Sequence, residues 1–346
     1  MRERIRKTTA RLINAAAIGS RGKRSLTLVV IGMPCYTPLK GYKDAISGGL
    51  TFDHRLGHEK MEVACGSCLG CRVDSRIMWA IRIVHESYVH LDHNGNSWVT
   101  LTYRDPSECT DEQYKKGHFI PADFSLQPSH VSKFIRALRK QNKHKIRYFY
   151  CGEYGDENER PHYHVCLFNH SFDDQQLFED NEGFYTYTSP SLEKLWPYGF
   201  STVAELNFET ASYTAGYCFK KITGKRADDH YLRCDEHGEA YWLRPEYIRM
   251  STGRTKPCGL GAQYYAEFKN DIFPSDETPV PGHGTVQLVP RYYQNILESE
   301  DPETLVLVKS LRERFMQSHR DDFTPERLRD KYICARAQQD RLKRAL

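Results

Sequence analysis

The chain has 346 residues, 39% of them hydrophobic, with a formal net charge of +4. That is enough to bury a sizeable core, as one large domain or two small ones, and it reads as a soluble globular protein. No apolar run reaches 18 residues, which excludes a conventional membrane-spanning helix, and no small-residue cleavage pattern follows the apolar stretch at 26–33, so no secretory signal is expected.

The basicity is local. Residues 1–25 hold eight Lys or Arg against one Glu, and the remainder is net acidic, so overall charge is weak support for a nucleic-acid partner. Residues 1–32 form a basic arm that is expected to be disordered, to touch DNA, or to be an upstream extension of the frame ahead of Met33. Eleven cysteines are present. Cys65, Cys68 and Cys71 form C-x-x-C-x-x-C, and with Cys35 from upstream they could close a tetrahedral structural Zn²⁺ site. The same pattern also occurs in cytosolic proteins without metal. The other cysteines are scattered singly through a chain too long for a disulfide scaffold, so a reducing cytoplasm is expected.

Along the chain, apolar residues at helical spacing predict a helix over 74–91, ended by the Asn and Gly residues near 95. A strand is predicted over 97–103, then an irregular polar stretch over 104–128. Ser129 is a plausible N-cap for a helix that buries Val131, Phe134, Ile135 and Leu138. Its opposite face carries Lys133, Arg136, Arg139 and Lys140, which could contact phosphates or simply be solvated. Strands at 146–151 and 163–168 are joined by a Gly- and Pro-containing turn over 152–161. A short helix at 192–196, a strand at 200–206 and a helix at 210–221 with Gly224 as its stop follow. The pattern predicts an antiparallel sheet with helices packed on it, an α+β fold. Past residue 270 come a loop to 290 and helices over 302–317 and 325–346. The expected domains are the arm 1–32, a main domain 33–270 with a Cys-rich start, and a charged helical region 271–346.

Two features carry chemistry. His162 and His164 are two apart on a predicted strand and so share a face, where they could share one cation. Glu153, at the end of the preceding strand, is the best third ligand, with Glu157 and Glu159 in reserve, and a carboxylate with two imidazoles suits Mn²⁺ or Mg²⁺. Tyr213 and Tyr217 are four apart on a predicted helix, so both phenols could reach one phosphodiester. A phenol with a pKa near 10 needs help as a nucleophile. Lys220 shares that helix face and could stabilise a phenolate or clamp a phosphate, with Lys221 close behind. The bland alternatives are ordinary structural histidines and an aromatic stripe packed in a core.

In combination and order, the motifs resemble the rolling-circle replication initiators of small single-stranded-DNA bacteriophages, most closely the gokushovirus branch of the microviruses. The resemblance covers most of the chain between residue 33 and the tail. It rests on Cys65–Arg72 (CGSCLGCR), Val99–Tyr103 (VTLTY), Arg147–Gly155 (RYFYCGEYG), Arg160–His164 (RPHYH), Leu195 with Trp196, the tyrosine helix, and Pro257–Gly261 (PCGLG). It implies an HUH endonuclease fold, with a central antiparallel sheet presenting the histidines and a neighbouring helix presenting the tyrosines. It implies that one tyrosine nicks the origin strand, leaving a 3′-OH and a 5′-phosphotyrosine, and that the displaced strand is later rejoined into a circle. The implied partners are single-stranded and supercoiled phage origin DNA, a host helicase and a host DNA polymerase in the host cytoplasm, with no membrane. No Walker A pattern occurs, consistent with strand opening by a separate helicase. Two other classes stay open: an HUH transposase or relaxase, and a non-catalytic single-strand-binding protein using Tyr148, Tyr150 and Tyr163 as stacking platforms.

Overall fold

The computed structural model describes residues 35–344 except 45, 47–48, 92–93, 156–157, 218–220, 223, 225, 235–236 and 254–257. The basic arm 1–32 lies outside the described residues. The chain divides into two compact units. Among described residues, one takes Trp79–Lys269 and Val280–Gly284, and the other takes 35–78, Asn270–Pro279 and 285–344.

In the second unit, β1 (Leu39–Asp44), β2 (Leu50–Thr51) and β3 (Gly57–Val63) pair antiparallel in the order β2-β1-β3. In the first, a seven-stranded sheet is built from β4 (Asn96–Tyr103), β5 (Arg147–Tyr154), β6 (Pro161–Phe168), β7 (Gln176–Asn181), β8 (Phe184–Thr188) and β9 (Gly199–Ala204). After a hairpin of β10 (Leu232–Cys234) and β11 (Ala240–Trp242), β12 (Tyr247–Met250) completes it. The order is β12-β5-β6-β4-β9-β8-β7, and its pairings are antiparallel. A last hairpin joins β13 (Thr278–Val280) to β14 (Gly284–Val286), and the tail is helical over Arg291–Glu300, Pro302–Ser318 and Pro325–Arg344. The expected α+β class, an antiparallel sheet flanked by helices with a helical C-terminal region, is the observed one.

Every residue of β6 is buried, as a strand covered on both faces must be. Alternation then sorts its side chains. Tyr163, Val165 and Leu167 point to one face with Val99 and Leu101 of β4, and there meet Val131, Phe134, Ile135 and Leu138 of the helix Pro128–Gln141. These four helix residues are the ones its periodicity predicts. His162, His164 and Cys166 point to the other face. There Trp79, in the helix Leu69–Tyr88, packs its ring 5.4 Å from that of Phe149.

Several boundaries differ from expectation for local reasons. β5 and β6 run further than predicted, to Tyr154 and from Pro161, so Glu153 and His162 lie in paired strands and not in the turn. The helix predicted to be capped by Ser129 begins at Pro128 with Gln127 as N-cap, because proline's fixed φ suits the first turn. The helix predicted over 210–221 spans Phe208–Gly216 and closes at Tyr217 (φ −68, ψ −20). Its start is set by a capping box in which Asn207 and Thr210 bond each other's backbone amides, and Gly216 is a weak helix former at its end. The stretch 104–128 contains a 3₁₀ turn, Pro106–Glu108, and a short capped helix, Asp111–Lys115.

Candidate active site

Glu153 of β5 stands directly opposite His162 of β6, and Thr100 of β4 stands opposite His164. Cross-strand neighbours share a face, so register alone brings carboxylate and imidazoles together. The Nε2 atoms of His162 and His164 both lie 2.8 Å from Glu153 Oε1. The outer nitrogens are held as well: His162 Nδ1 is 3.1 Å from the Arg160 carbonyl, and His164 Nδ1 is 3.1 Å from Thr100 Oγ1. Arg160 is itself fixed, donating to the Tyr103 carbonyl at 2.8 Å and to Asp105 at 2.6 Å. Trp98 lies parallel to the His164 ring at 5.0 Å and sets its plane.

A carbonyl only accepts, so His162 carries its proton on Nδ1, and in the neutral ring Nε2 turns a lone pair toward the carboxylate. Two anionic or lone-pair atoms at 2.8 Å repel unless a proton or a cation lies between them. The donor set therefore fits a metal ion, and the three ligand atoms lie within 4.8 Å of one another. Burial alone would raise the Glu153 carboxyl, but the two imidazoles outweigh it and hold it at about 2. Glu153 is an anion ready to be a ligand.

The tyrosine helix lies on this same face. Trp98 Nε1 donates to Thr214 Oγ1 at 2.8 Å, pinning the helix to β4. Tyr213 and Tyr217 then flank His164, with ring centroids 5.1 and 5.6 Å from it. Tyr217 donates a hydrogen bond to the Tyr213 hydroxyl. Tyr217 is buried and Tyr213 half-buried. Burial first, then the Glu153 carboxylate and Tyr213, push the Tyr217 phenol well above its ordinary range. Cys166, on the same face, is pushed up to about 12 by burial, partly offset by Thr214, and so stays a thiol.

Other candidates fall elsewhere. Lys220 and Glu157 lie outside the described residues. Lys221 is exposed just beyond the tyrosine helix. Glu159, the other reserve ligand, lies 3.3 Å from Arg233 and is not part of the metal-ligand group. Lys133, Arg136 and Lys140 are exposed on the helix that covers the opposite face of the sheet. Arg139 donates twice to the Ile146 carbonyl, at 3.1 and 2.7 Å, and so ties that helix to the chain ahead of β5. Tyr150 and Tyr163 are 2% and 0% exposed in the core, so the stacking platform they were to form with Tyr148 does not exist. Thr100, Trp98 and Thr214 were missed: their residue types carry no signal, and only the strand register and helix docking place them beside His164.

A second ligand group, Cys35, Cys65, Cys68 and Cys71, also keeps its sulfurs within 4.8 Å of one another. Burial would raise the Cys65 thiol, but the Thr37 hydroxyl and the amides of Ser67 and Cys68 lower it to about 5.

Fold and site thus define an α+β protein with a metal-capable centre beside paired phenols. Residues 96–222 match the family described as replication-associated protein of the ORF2 type, a stretch that holds Glu153, both histidines and both tyrosines. The chain is 32% identical over 261 residues to the replication-associated protein ORF2 of Spiroplasma virus 4, covering 73% of each. It is 29% identical over 299 residues to the replication-associated protein VP4 of Bdellovibrio phage phiMH2K, covering 84% of this chain and 87% of that one. It is 24% identical over 271 residues to the replication-associated protein ORF4 of Chlamydia phage 1, covering 73% and 59%. No solved structure matches. The chain belongs to this ORF2 family of phage replication-associated proteins. Among the described residues no helix is long and apolar enough to cross a membrane.

Proposed function

We propose that this protein is a rolling-circle initiator of HUH type, a site-specific single-strand DNA endonuclease and strand transferase. The observation that carries it is the placement of two phenols on either side of His164, over the carboxylate–imidazole group. Glu153, His162 and His164 would hold Mg²⁺ or Mn²⁺, whose chemistry when bound is to polarise the scissile phosphate and stabilise its developing charge. The four-cysteine group takes no part in this chemistry and is a structural Zn²⁺ site.

The phenol oxygen of one tyrosine forms a bond to phosphorus as the bond from phosphorus to the 3′ oxygen breaks. The 3′ oxygen ends protonated and primes a host polymerase, and the 5′ end stays on the protein as a phosphotyrosine. The Tyr217 hydroxyl donates to the Tyr213 oxygen, which favours negative charge on Tyr213. The second tyrosine cuts the regenerated origin, and the freed 3′-OH attacks the first phosphotyrosine to close the displaced circle. The broken bond's energy is kept in the phosphotyrosine, so joining needs no ATP. Thr100 and the Arg160 carbonyl hold the imidazole rings in place throughout. Lys221, and Lys220 beyond the tyrosines, would meet the phosphates nearest the cut. Lys133, Arg136, Arg139 and Lys140 would meet DNA only further along its path. Single-stranded and supercoiled origin DNA are the substrates, in the host cytoplasm, and a host helicase opens the duplex.

The test is incubation with labelled single-stranded origin DNA from the same genome, with Mn²⁺ or with EDTA, followed by denaturing electrophoresis. Label should stay on the protein only with metal, persist in either single Tyr→Phe variant, and vanish in the Tyr213→Phe, Tyr217→Phe double variant. Tight binding with no adduct under any divalent metal would defeat the proposal.

A further inference from the structure

We propose that Cys35, Cys65, Cys68 and Cys71 bind one Zn²⁺ as a tetrathiolate, and that this ion is what keeps the segment 35–71 folded. The assignment rests on this segment alone and is independent of the nicking chemistry.

The four sulfurs lie within 4.8 Å of one another, and the Cys35 and Cys68 sulfurs are 3.9 Å apart. That is nearly twice a disulfide's length of about 2.0 Å. It is close to the edge, about 3.8 Å, of a tetrahedron whose Zn–S bonds are about 2.3 Å. All four cysteines are free. An all-sulfur set selects zinc or iron and rejects Mg²⁺ and Mn²⁺, so it cannot be a second copy of the carboxylate–imidazole centre.

The backbone is arranged around sulfurs that carry charge. The amide of Cys65 points at Cys35 Sγ at 3.2 Å, that of Cys68 at Cys65 Sγ at 3.3 Å, and that of Tyr36 at Cys68 Sγ at 3.4 Å. The Thr37 hydroxyl adds a fourth donor to Cys65 Sγ at 3.2 Å. Neutral thiols are poor acceptors and do not organise a chain this way, whereas metal-bound thiolates gain from each donor. Gly66 has φ +73, the left-handed conformation that lets the C-x-x-C turn double back. Cys68 immediately precedes the helix Leu69–Tyr88 and Cys71 is in its first turn, where amide dipoles also favour negative sulfur.

The segment has little else to hold it. The sheet of β1, β2 and β3 leaves Leu39, Leu50, Phe52 and Met61 exposed, and strands this short are marginal without a core or a staple. A tetrathiolate supplies the missing free energy, as in small domains that are unfolded without metal. Tyr36, next to the first ligand, is buried with its ring 5.5 Å from Tyr332 of the tail helix, so the ordered segment also seats that helix.

The full chain, expressed in zinc-supplemented medium, is desalted and analysed by plasma mass spectrometry, and its reduced metal-free form is titrated with Co²⁺. One zinc per chain is expected, with sulfur-to-cobalt charge-transfer bands and intense tetrahedral d–d bands on Co²⁺ addition. Hydrogen exchange should show protection of 35–71 lost on zinc removal while 96–168 keeps its own. Cys68→Ser should abolish stoichiometric zinc, and if that variant fails to fold, the wild-type cobalt spectrum still decides. Iron in place of zinc, two disulfides by thiol counting, or metal-free protein with no charge-transfer band would each overturn the assignment. Mn²⁺-dependent nicking, assayed on the same samples, separates this outcome from failure of the proposed activity.

Discussion

Glu153, His162 and His164 sit on adjacent strands whose pairing fixes them, whereas Cys35, Cys65, Cys68 and Cys71 come from turns and a helix start beside a sheet with exposed apolar side chains. The first group is buried in a seven-stranded sheet covered on both faces. Its geometry is delivered by the hydrophobic core of the sheet, and a cation would find it already formed. The second gathers sulfurs from positions about thirty residues apart with few apolar contacts to offset the ordering entropy. One centre is a product of its fold, and the other is a cause of its fold.

The sharpest way to break this contrast is to remove ions selectively. Stripping zinc should cost the segment 35–71 the binding free energy that structural zinc contributes, on the order of 10 kcal/mol, read as loss of amide protection there. Stripping Mg²⁺ or Mn²⁺ should leave the amide protection of β4, β5 and β6 unchanged. Equal responses of the two regions would dissolve the distinction.

Next in size is Glu153→Gln. The substitution keeps shape but removes the charge that the two imidazoles hold at a pKa of about 2. Adduct formation should fall to background, while thermal stability stays level or rises, because the desolvation of a buried carboxylate offsets most of what its partners return. Melting temperature and adduct yield on one preparation check both halves, and a collapse of the fold would mean that this cluster, too, is structural.

The contrast also governs what could be read from the sequence. Helical spacing located Val131, Phe134, Ile135 and Leu138, and strand alternation put His162 and His164 on one face, because both follow from local periodicity. Glu153 was legible only as a neighbour across a turn. That it faces His162 depends on β5 and β6 extending to Tyr154 and from Pro161, a length that tertiary pairing sets. β7, β8 and β12 escaped notice because edge strands are short and half-exposed, without the apolar run of β6. The tyrosine helix was drawn too long because periodicity continues past Gly216, while the backbone does not. The cysteine spacing was plain, since ligand sets that act by themselves leave their mark in local sequence.

A smaller effect tests how far the sheet prearranges its ligands. Thr100 Oγ1 lies 3.1 Å from His164 Nδ1 and orients the ring from behind. Thr100→Val preserves shape and strand propensity but removes that partner. Mn²⁺ affinity, by calorimetry, should weaken about 10–100-fold, the usual cost of losing an outer partner of a metal-binding histidine. An unchanged affinity would show that Trp98 stacking alone fixes the ring.

Trp98→Phe separates ring orientation from helix docking. Phenylalanine can still lie over His164, which Trp98 does at 5.0 Å, but it cannot donate to Thr214 Oγ1, the bond that pins the tyrosine helix to β4. Stability should fall by about 1 kcal/mol, the net worth of one such hydrogen bond, plus a share for the smaller ring. Mn²⁺ affinity should hardly move, because Glu153, His162 and His164 keep their register partners. Single-turnover adduct formation should slow, because Tyr213 and Tyr217 sit on the loosened helix. If metal affinity fell as far as the nicking rate, helix and ligands would form one cooperative unit, and the sheet alone would not suffice to build the centre.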